Sequence, residues 1–222
     1  MGSHLRLWQL ISPALPVGAY SYSQGLEYAV ECDWVDSAGT AADWIQGLLK
    51  HSLAHLDVPV LQRLHAAWRA DDKDKLIYWN NFLLASRETM ELRAEDRSMG
   101  QALAMLLPEL GLQEAEAWKR NETVPSFALM FTLAAARWEV DAEQAAEGFL
   151  WAWCENQVMA AVKLVPLGQT AGQKLLLNSA SMIPEAVKRG FELTDDEIGW
   201  LAPGFALASA KHETQYTRLF RS

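Results

Sequence analysis

His51 and His55 stand four residues apart, the spacing at which two imidazoles on one helix face can meet a single metal ion, and Asp57 and His65 follow closely. No glutamate lies between the two histidines as in an H-E-x-x-H site, and no third ligand has a set place, so they read first as boundary histidines beside Trp44. A second candidate lies in the most charged run, Arg87 to Arg97 (RETMELRAEDR), where a helix would stack Glu88, Glu91 and Glu95 on one side. Such a stripe could join the carboxylate metal site of a helical bundle, but that class uses a Glu-x-x-His pair and the chain has none. The simpler reading of the run is a solvated face laced by Arg–Glu pairs. Gly168-Gln-Thr-Ala-Gly172-Gln-Lys174 imitates a phosphate loop with the wrong spacing, and Leu175 stands where a hydroxyl is required. A G-x-S-x-G nucleophile elbow is also missing. These patterns point away from an enzyme. A helical-bundle metal-binding protein or enzyme built on His51, His55 and the Glu88/Glu91/Glu95 stripe is the alternative reading.

The C-terminal segment from Lys211 to Ser222, KHETQYTRLFRS, is basic within an acidic chain. Tyr216, Leu219 and Phe220 sit at i, i+3, i+4, the anchor spacing of a helix that lays one face into a partner's groove. The competing arrangement has the segment packing back on its own domain, because three large apolar groups near a terminus need cover. Asn156 and Lys163 fall two turns apart on one helical sector, beside Phe149, Ala152 and Ala160, and place a polar pair in an apolar face. They could line an interior path or a partner surface. Alternatively, Lys163 serves the helix C-terminus and its dipole before Pro166.

The elements that must carry these groups follow from composition and periodicity. Half of the 222 residues are apolar and 21% are charged, enough to bury a sizeable core. A net charge of -9 argues against nucleic acid as a partner. Cys32 and Cys154 are too few for a disulfide framework and read as reduced thiols of a cytoplasmic protein. The opening MGSH reads as an expression remnant, and no signal peptide follows it.

The longest apolar run, Asp141 to Val165, predicts a central helix about 37 Å long. Its apolar residues surround the axis from Phe149 onward, which predicts burial on all sides. Glu155, Asn156, Gln157 and Lys163 interrupt it too often for a membrane span. Further helices are expected over Leu5–Ile11, from Leu26 to Glu31 with Ser23 as N-cap, and from a Thr40/Asp43 capping box through Leu56. Others follow Pro59, span Leu76–Ala85 and Met99–Leu107, open at Pro125, cover Gly168–Asn178, begin at Pro184, and run from Pro203 to Ala210. Strand alternation is almost absent. The expected fold is all-α, a single compact helical domain of about nine or ten helices around a buried central helix, with residues 5–210 as the body and 211–222 as a partner-binding tail.

Four stretches together carry a family likeness: LPVGAYSYSQGLE at Leu15 to Glu27, RETMELR at Arg87 to Arg93, VMAAVKLVPLGQ at Val158 to Gln169, and the tail HETQYTRLFRS. In combination they resemble the urease accessory protein F family (UreF). The resemblance implies an all-helical protein without a catalytic centre and without a cofactor of its own, working as a homodimer. It implies binding to the accessory protein UreD, also called UreH, recruitment of the GTPase UreG, and delivery of nickel to apo-urease coupled to GTP hydrolysis. It also implies partner-binding roles for Tyr216, Arg218, Leu219, Phe220 and Arg221 in the tail and for Tyr20, Ser21 and Glu27 in the loop. Arg87, Glu88 and Lys163 are implied as surface or lining residues.

Overall fold

The longest apolar run becomes the longest helix. In the computed structural model, which describes residues 2–119, 123–199 and 202–222, it spans Ala142–Leu164, and the Asp141 side chain caps it by accepting from the Gln144 amide. Twelve α-helical segments are described, and they are numbered here in chain order. The first six are α1 (Ser3–Leu10), α2 (Leu26–Glu31), α3 (Ala38–Leu48), α4 (Asp57–Arg69), α5 (Lys73–Ala85) and α6 (Met90–Leu106). The single turn α7 (Glu116–Lys119) leads to α8 (Phe127–Arg137) and then α9, the long helix. The chain closes with α10 (Gln169–Ala180), α11 (Ile183–Glu192) and α12 (Pro203–His212). No strand occurs among the described residues, and the all-α expectation holds. Among the same residues no helix is long and apolar enough to cross a membrane. Met1, the first residue of the suspected remnant, lies outside the described residues, whereas Ser3 and His4 form the first turn of α1.

Burial on all sides belongs to α8 rather than α9. Every residue from Ala128 to Ala136 is buried, packed between α4 and α6. Phe131 sits among Phe127 and Phe149 with ring centroids 5.8 and 5.3 Å away. Each such side chain removed from water contributes about 2 kcal/mol, so the core is centred here. The long helix keeps Trp151 and Met159 exposed, at 39% and 44%. Its apolar run exceeds the cover that its neighbours provide.

Other local expectations are corrected by capping chemistry. α3 is capped by Ser37 in a reciprocal box with Thr40, not by Thr40 with Asp43. It does not run as an α-helix to Leu56, because the chain widens into a π-turn at Leu49–Leu53. Gly25, at φ +78°, takes the cap position of α2 that Ser23 was expected to fill. The charged run does not begin a helix at Arg87. Thr89 caps α6 by accepting from the Leu92 amide, so Arg87 and Glu88 precede the helix and the three glutamates share no stripe. Nor is the run a solvated face, since Glu95 and Asp96 are each only 6% exposed. Finally, α12 ends at His212 and no helix forms from 213 to 222.

One close approach fixes α6 against the start of α8. A Cβ at Gly100 would lie 2.1 Å from the Pro125 carbonyl oxygen and 2.6 Å from the Ser126 carbonyl carbon. Only glycine fits there.

Candidate interaction site

The N-terminal half of α6 carries two charged clusters, one facing a cavity and one facing the tail. The cavity measures about 430 Å³ and is mostly apolar, with Met99, Phe127, Phe149 and Met159 among its walls and Arg87, Glu95, Asn156 and Lys163 among its polar lining. Asn156 and Lys163 therefore share a face with Phe149 and Ala152, as their spacing predicts. Asn156 donates to the Tyr22 carbonyl at 3.0 Å, while Lys163 is exposed and sets its ammonium 5.4 Å from the Phe220 ring.

Arg87 is not a surface residue. Its guanidinium donates to Asp57 at 2.6 Å from α4 and to Asp96 at 2.8 Å from α6, and both aspartates are buried. Burial opposes the charge, but the two carboxylates more than offset it and raise the guanidinium's pKa above its ordinary value. Asp96 uses its other oxygen to accept from the Phe127 amide at 2.7 Å, which ties the start of α8 to the same group.

Glu95 points from α6 toward the loop and the chain's end. It accepts from Gln24 Nε2 at 2.7 Å and from the Ser222 hydroxyl at 2.9 Å. Burial pushes its carboxyl up to about 7 against those two hydrogen bonds, and Asp96 adds to the rise. Gln24 in turn accepts from Trp153 Nε1 at 2.8 Å, from a backbone at φ +54° that non-glycine residues seldom adopt. The cavity and the tail thus meet at one strained glutamine.

The tail itself is clasped to the body. His212 is completely buried, with Nδ1 2.6 Å from Glu91 and Nε2 3.1 Å from Glu27. Glu27 also accepts from the Leu219 and Phe220 amides at 2.6 and 2.9 Å, and Glu91 pairs with Arg218 at 2.6 Å. The Ser222 carbonyl accepts from the Ser23 amide and hydroxyl, and Arg221 donates its amide to the Ser21 carbonyl. α12 packs close enough for this because Gly25 leaves room: a Cβ there would lie 2.8 Å from the Ser209 nitrogen. In this arrangement Phe220 is buried, while Tyr216 is fully exposed and Leu219 and Tyr20 are 67% and 68% exposed.

The expected site residues therefore separate. Leu219, Phe220 and Arg221 are bonded to Glu27 and Ser21 and Arg218 to Glu91, while Tyr216 and Tyr20 are exposed and bond to none of them. Lys163 joins them through Phe220, Arg87 lines the adjoining cavity, and Glu88 is exposed. His51 is exposed on the π-turn. Among the described residues no three His, Cys, Asp or Glu side chains are grouped as a metal site. Gln24, Asp96 and His212 were not singled out from the sequence, and Asp57 entered only as a neighbour of the His51/His55 pair, not as a partner of Arg87. The His212 signal was present in the tail motif, but its partners are 121 and 185 residues away.

Comparison with known proteins places the chain in a family. A family model described as UreF matches residues 35–180. The chain is 59% identical to "Urease accessory protein UreF" of Alkalilimnicola ehrlichii, covering 98% of this chain and 95% of the relative. It is 50% identical to the protein of the same name from Azoarcus sp., with 98% and 95% covered, and 48% identical to that of Hahella chejuensis, with 98% and 97% covered.

Proposed function

This chain belongs to the UreF family of urease accessory proteins, and from that premise we propose that it serves urease maturation as a non-catalytic scaffold, docking other proteins through its tail and the adjoining loop. The supporting observation is the composition of the tail end. Tyr216 and Leu219 stand in solvent, as do Tyr20 of the loop and Met90 at the start of α6, and Arg218 and Arg221 add positive charge to an acidic molecule. Large exposed apolar groups rimmed by charge mark a surface meant for cover.

The partner at this end is the UreD-type (UreH) accessory protein. The assembled complex then brings the GTPase UreG to apo-urease and couples GTP hydrolysis to nickel delivery in the cytoplasm. The working unit is a homodimer. Nickel is cargo of the complex and is not a resident metal of this chain. Arg87 and Lys163 belong to the cavity next to the docking end, and Glu88 to its exposed margin.

Co-purification tests the reading. The pair Tyr216→Ala and Leu219→Ala should cut recovery with the UreD-type partner by about tenfold or more, as expected for removal of two exposed anchors. Full retention by this pair, and by a chain lacking residues 213–222, would remove the tail from the interface.

A further inference from the structure

The cavity beside α6 has the size and lining of a small-molecule site. Its volume of about 430 Å³ falls within the range of ligand pockets, about 300 to 1,000 Å³. Met99, Phe127, Phe149 and Met159 line it from α6, α8 and α9, and Tyr20 and Trp153 add two further rings. Phe127 and Phe149 are neighbours, with centroids 5.8 Å apart. Aromatic rings and thioethers are polarisable, and they attract a cation that has shed part of its water. Ser52 and Leu53 bring the π-turn into the same wall, and such widened turns frequently accompany functional sites.

The charge of the lining selects the sign of a ligand. Asp57, Glu95, Asp96 and Glu155 stand against Arg87 and Lys163. Arg87 is committed to Asp57 and Asp96, and Glu95 accepts from Gln24 and Ser222. Glu155 differs from these. Among the described residues its carboxylate has no ion pair and no hydrogen bond, and partial burial without a counter-ion holds its pKa above the ordinary carboxylate value. Lys163 lies two turns further along α9, about 12 Å along the axis, with its ammonium over Phe220. Among the described residues no three His, Cys, Asp or Glu side chains are grouped to replace the water of a metal ion. The charge that fits this enclosure is therefore one carried on an organic group.

We propose that this cavity is a binding site for a small organic cation of the alkylammonium class, with its apolar chain among Met99, Phe127, Phe149 and Met159 and its charged head against the Glu155 carboxylate. A methylated ammonium gives up little hydration on entry, and the rings and the unpaired carboxylate both attract it. An anion of the same length would meet Glu155, Asp57 and Asp96 away from bulk water, where repulsion is poorly screened. Ala152 keeps the space open on the side of α9. It lines the cavity three residues after Phe149, so a larger side chain there would fill the volume that the chain of the ligand needs. The site is a property of the body of the protein and does not rest on the scaffold reading.

The test uses the full chain without partners, labelled with carbon-13 at the methionine methyl groups and titrated with hexyltrimethylammonium, with heptanoate as the anion of similar length. The methyls of Met99 and Met159 should shift together and saturate, with a dissociation constant on the order of 1 mM or tighter. Met90 and Met105, exposed and outside the lining, should not move. Heptanoate should bind at least about tenfold more weakly. Glu155→Gln should weaken the cation by about threefold to tenfold and leave heptanoate no weaker, a sorting by charge that altered packing does not produce. Ala152→Leu should abolish the Met99 shift. The proposal is overturned by an absence of saturable shifts at Met99 and Met159, by heptanoate binding as tightly as the cation, or by an unchanged preference in Glu155→Gln. Shifts of equal size at Met90 and Met105 also overturn it, since they would mark general attraction to an acidic surface, and so does undiminished binding by Ala152→Leu. Should Ala152→Leu fail to fold, the Glu155→Gln comparison decides alone. No partner protein takes part, so failure here leaves the scaffold reading standing, and loss of that reading leaves these titrations unaffected.

Discussion

Arg87 and His212 each sit between two carboxylates, and each draws one of them from α6, yet they hold the molecule in different ways. The partners of Arg87 are Asp57 and Asp96, which lie in the body on helices packed to either side of α8. The carboxylates of His212 are also anchors for a ten-residue segment without secondary structure of its own. In the first cluster no member can leave without leaving buried charge unpaired, which costs several kcal/mol. In the second the segment can go into water, where its amides and Arg218 are solvated again. A charged cluster is structural or detachable according to where its members are tethered, even when its geometry is alike.

Three substitutions separate the two cases. Arg87→Ala should cost about 3 to 5 kcal/mol in denaturant unfolding, because two buried aspartates lose their cation. A loss below about 1 kcal/mol would mean that water from the cavity replaces the guanidinium and that the first cluster is no more structural than the second.

Glu95, between the two clusters, should leave a pH signature. Its carboxyl holds a proton more tightly when buried than when unfolded, so its contribution to stability is present at low pH and is lost as pH rises from the ordinary carboxylate range through about 7. The change is of order 3 kcal/mol. Urea midpoints of wild type and Glu95→Gln, measured across that interval, should diverge by a slope of up to one proton. Parallel lines would show that Glu95 is already solvated through the tail side.

The smallest effect is expected for Lys163→Ala. Its ammonium lies over Phe220 but is exposed, so about 0.5 kcal/mol or less of stability should be lost. Urea unfolding of the two proteins checks it, and a loss above about 1.5 kcal/mol would make Lys163 a member of the clasp.

The helices were legible because their periodicity is local. Asp141, the apolar run after it, and the prolines at 59, 184 and 203 mark elements without reference to distant residues. The charged run was misread because its burial depends on Gln24 and Ser222, which α6 meets only in the folded chain, and on Asp57, which meets Arg87 just ahead of that helix. The helical spacing of the tail is not realised for a different reason, although the alternative that the segment packs back on its own domain is the arrangement seen. Tyr216, Leu219 and Phe220 have helical spacing, but the Glu27 carboxylate captures two successive amides, at 219 and 220, and a side chain that takes backbone donors competes with a helix. The π-turn at Leu49–Leu53 has no sequence mark that we can identify. The lining pair Asn156 and Lys163 was found because both lie on one helix, where spacing alone sets the face.

Gly100 also bears on the buried charges of α6. Because the Pro125 carbonyl leaves no room for even a methyl group, α6 cannot slide along its axis past the start of α8. Asp96 lies one turn before Gly100 on the same helix, so the register that Gly100 sets against α8 is also the one in which Asp96 meets Arg87 and the Phe127 amide. A side chain at position 100 would therefore disturb the buried cluster as well as the packing of the two helices.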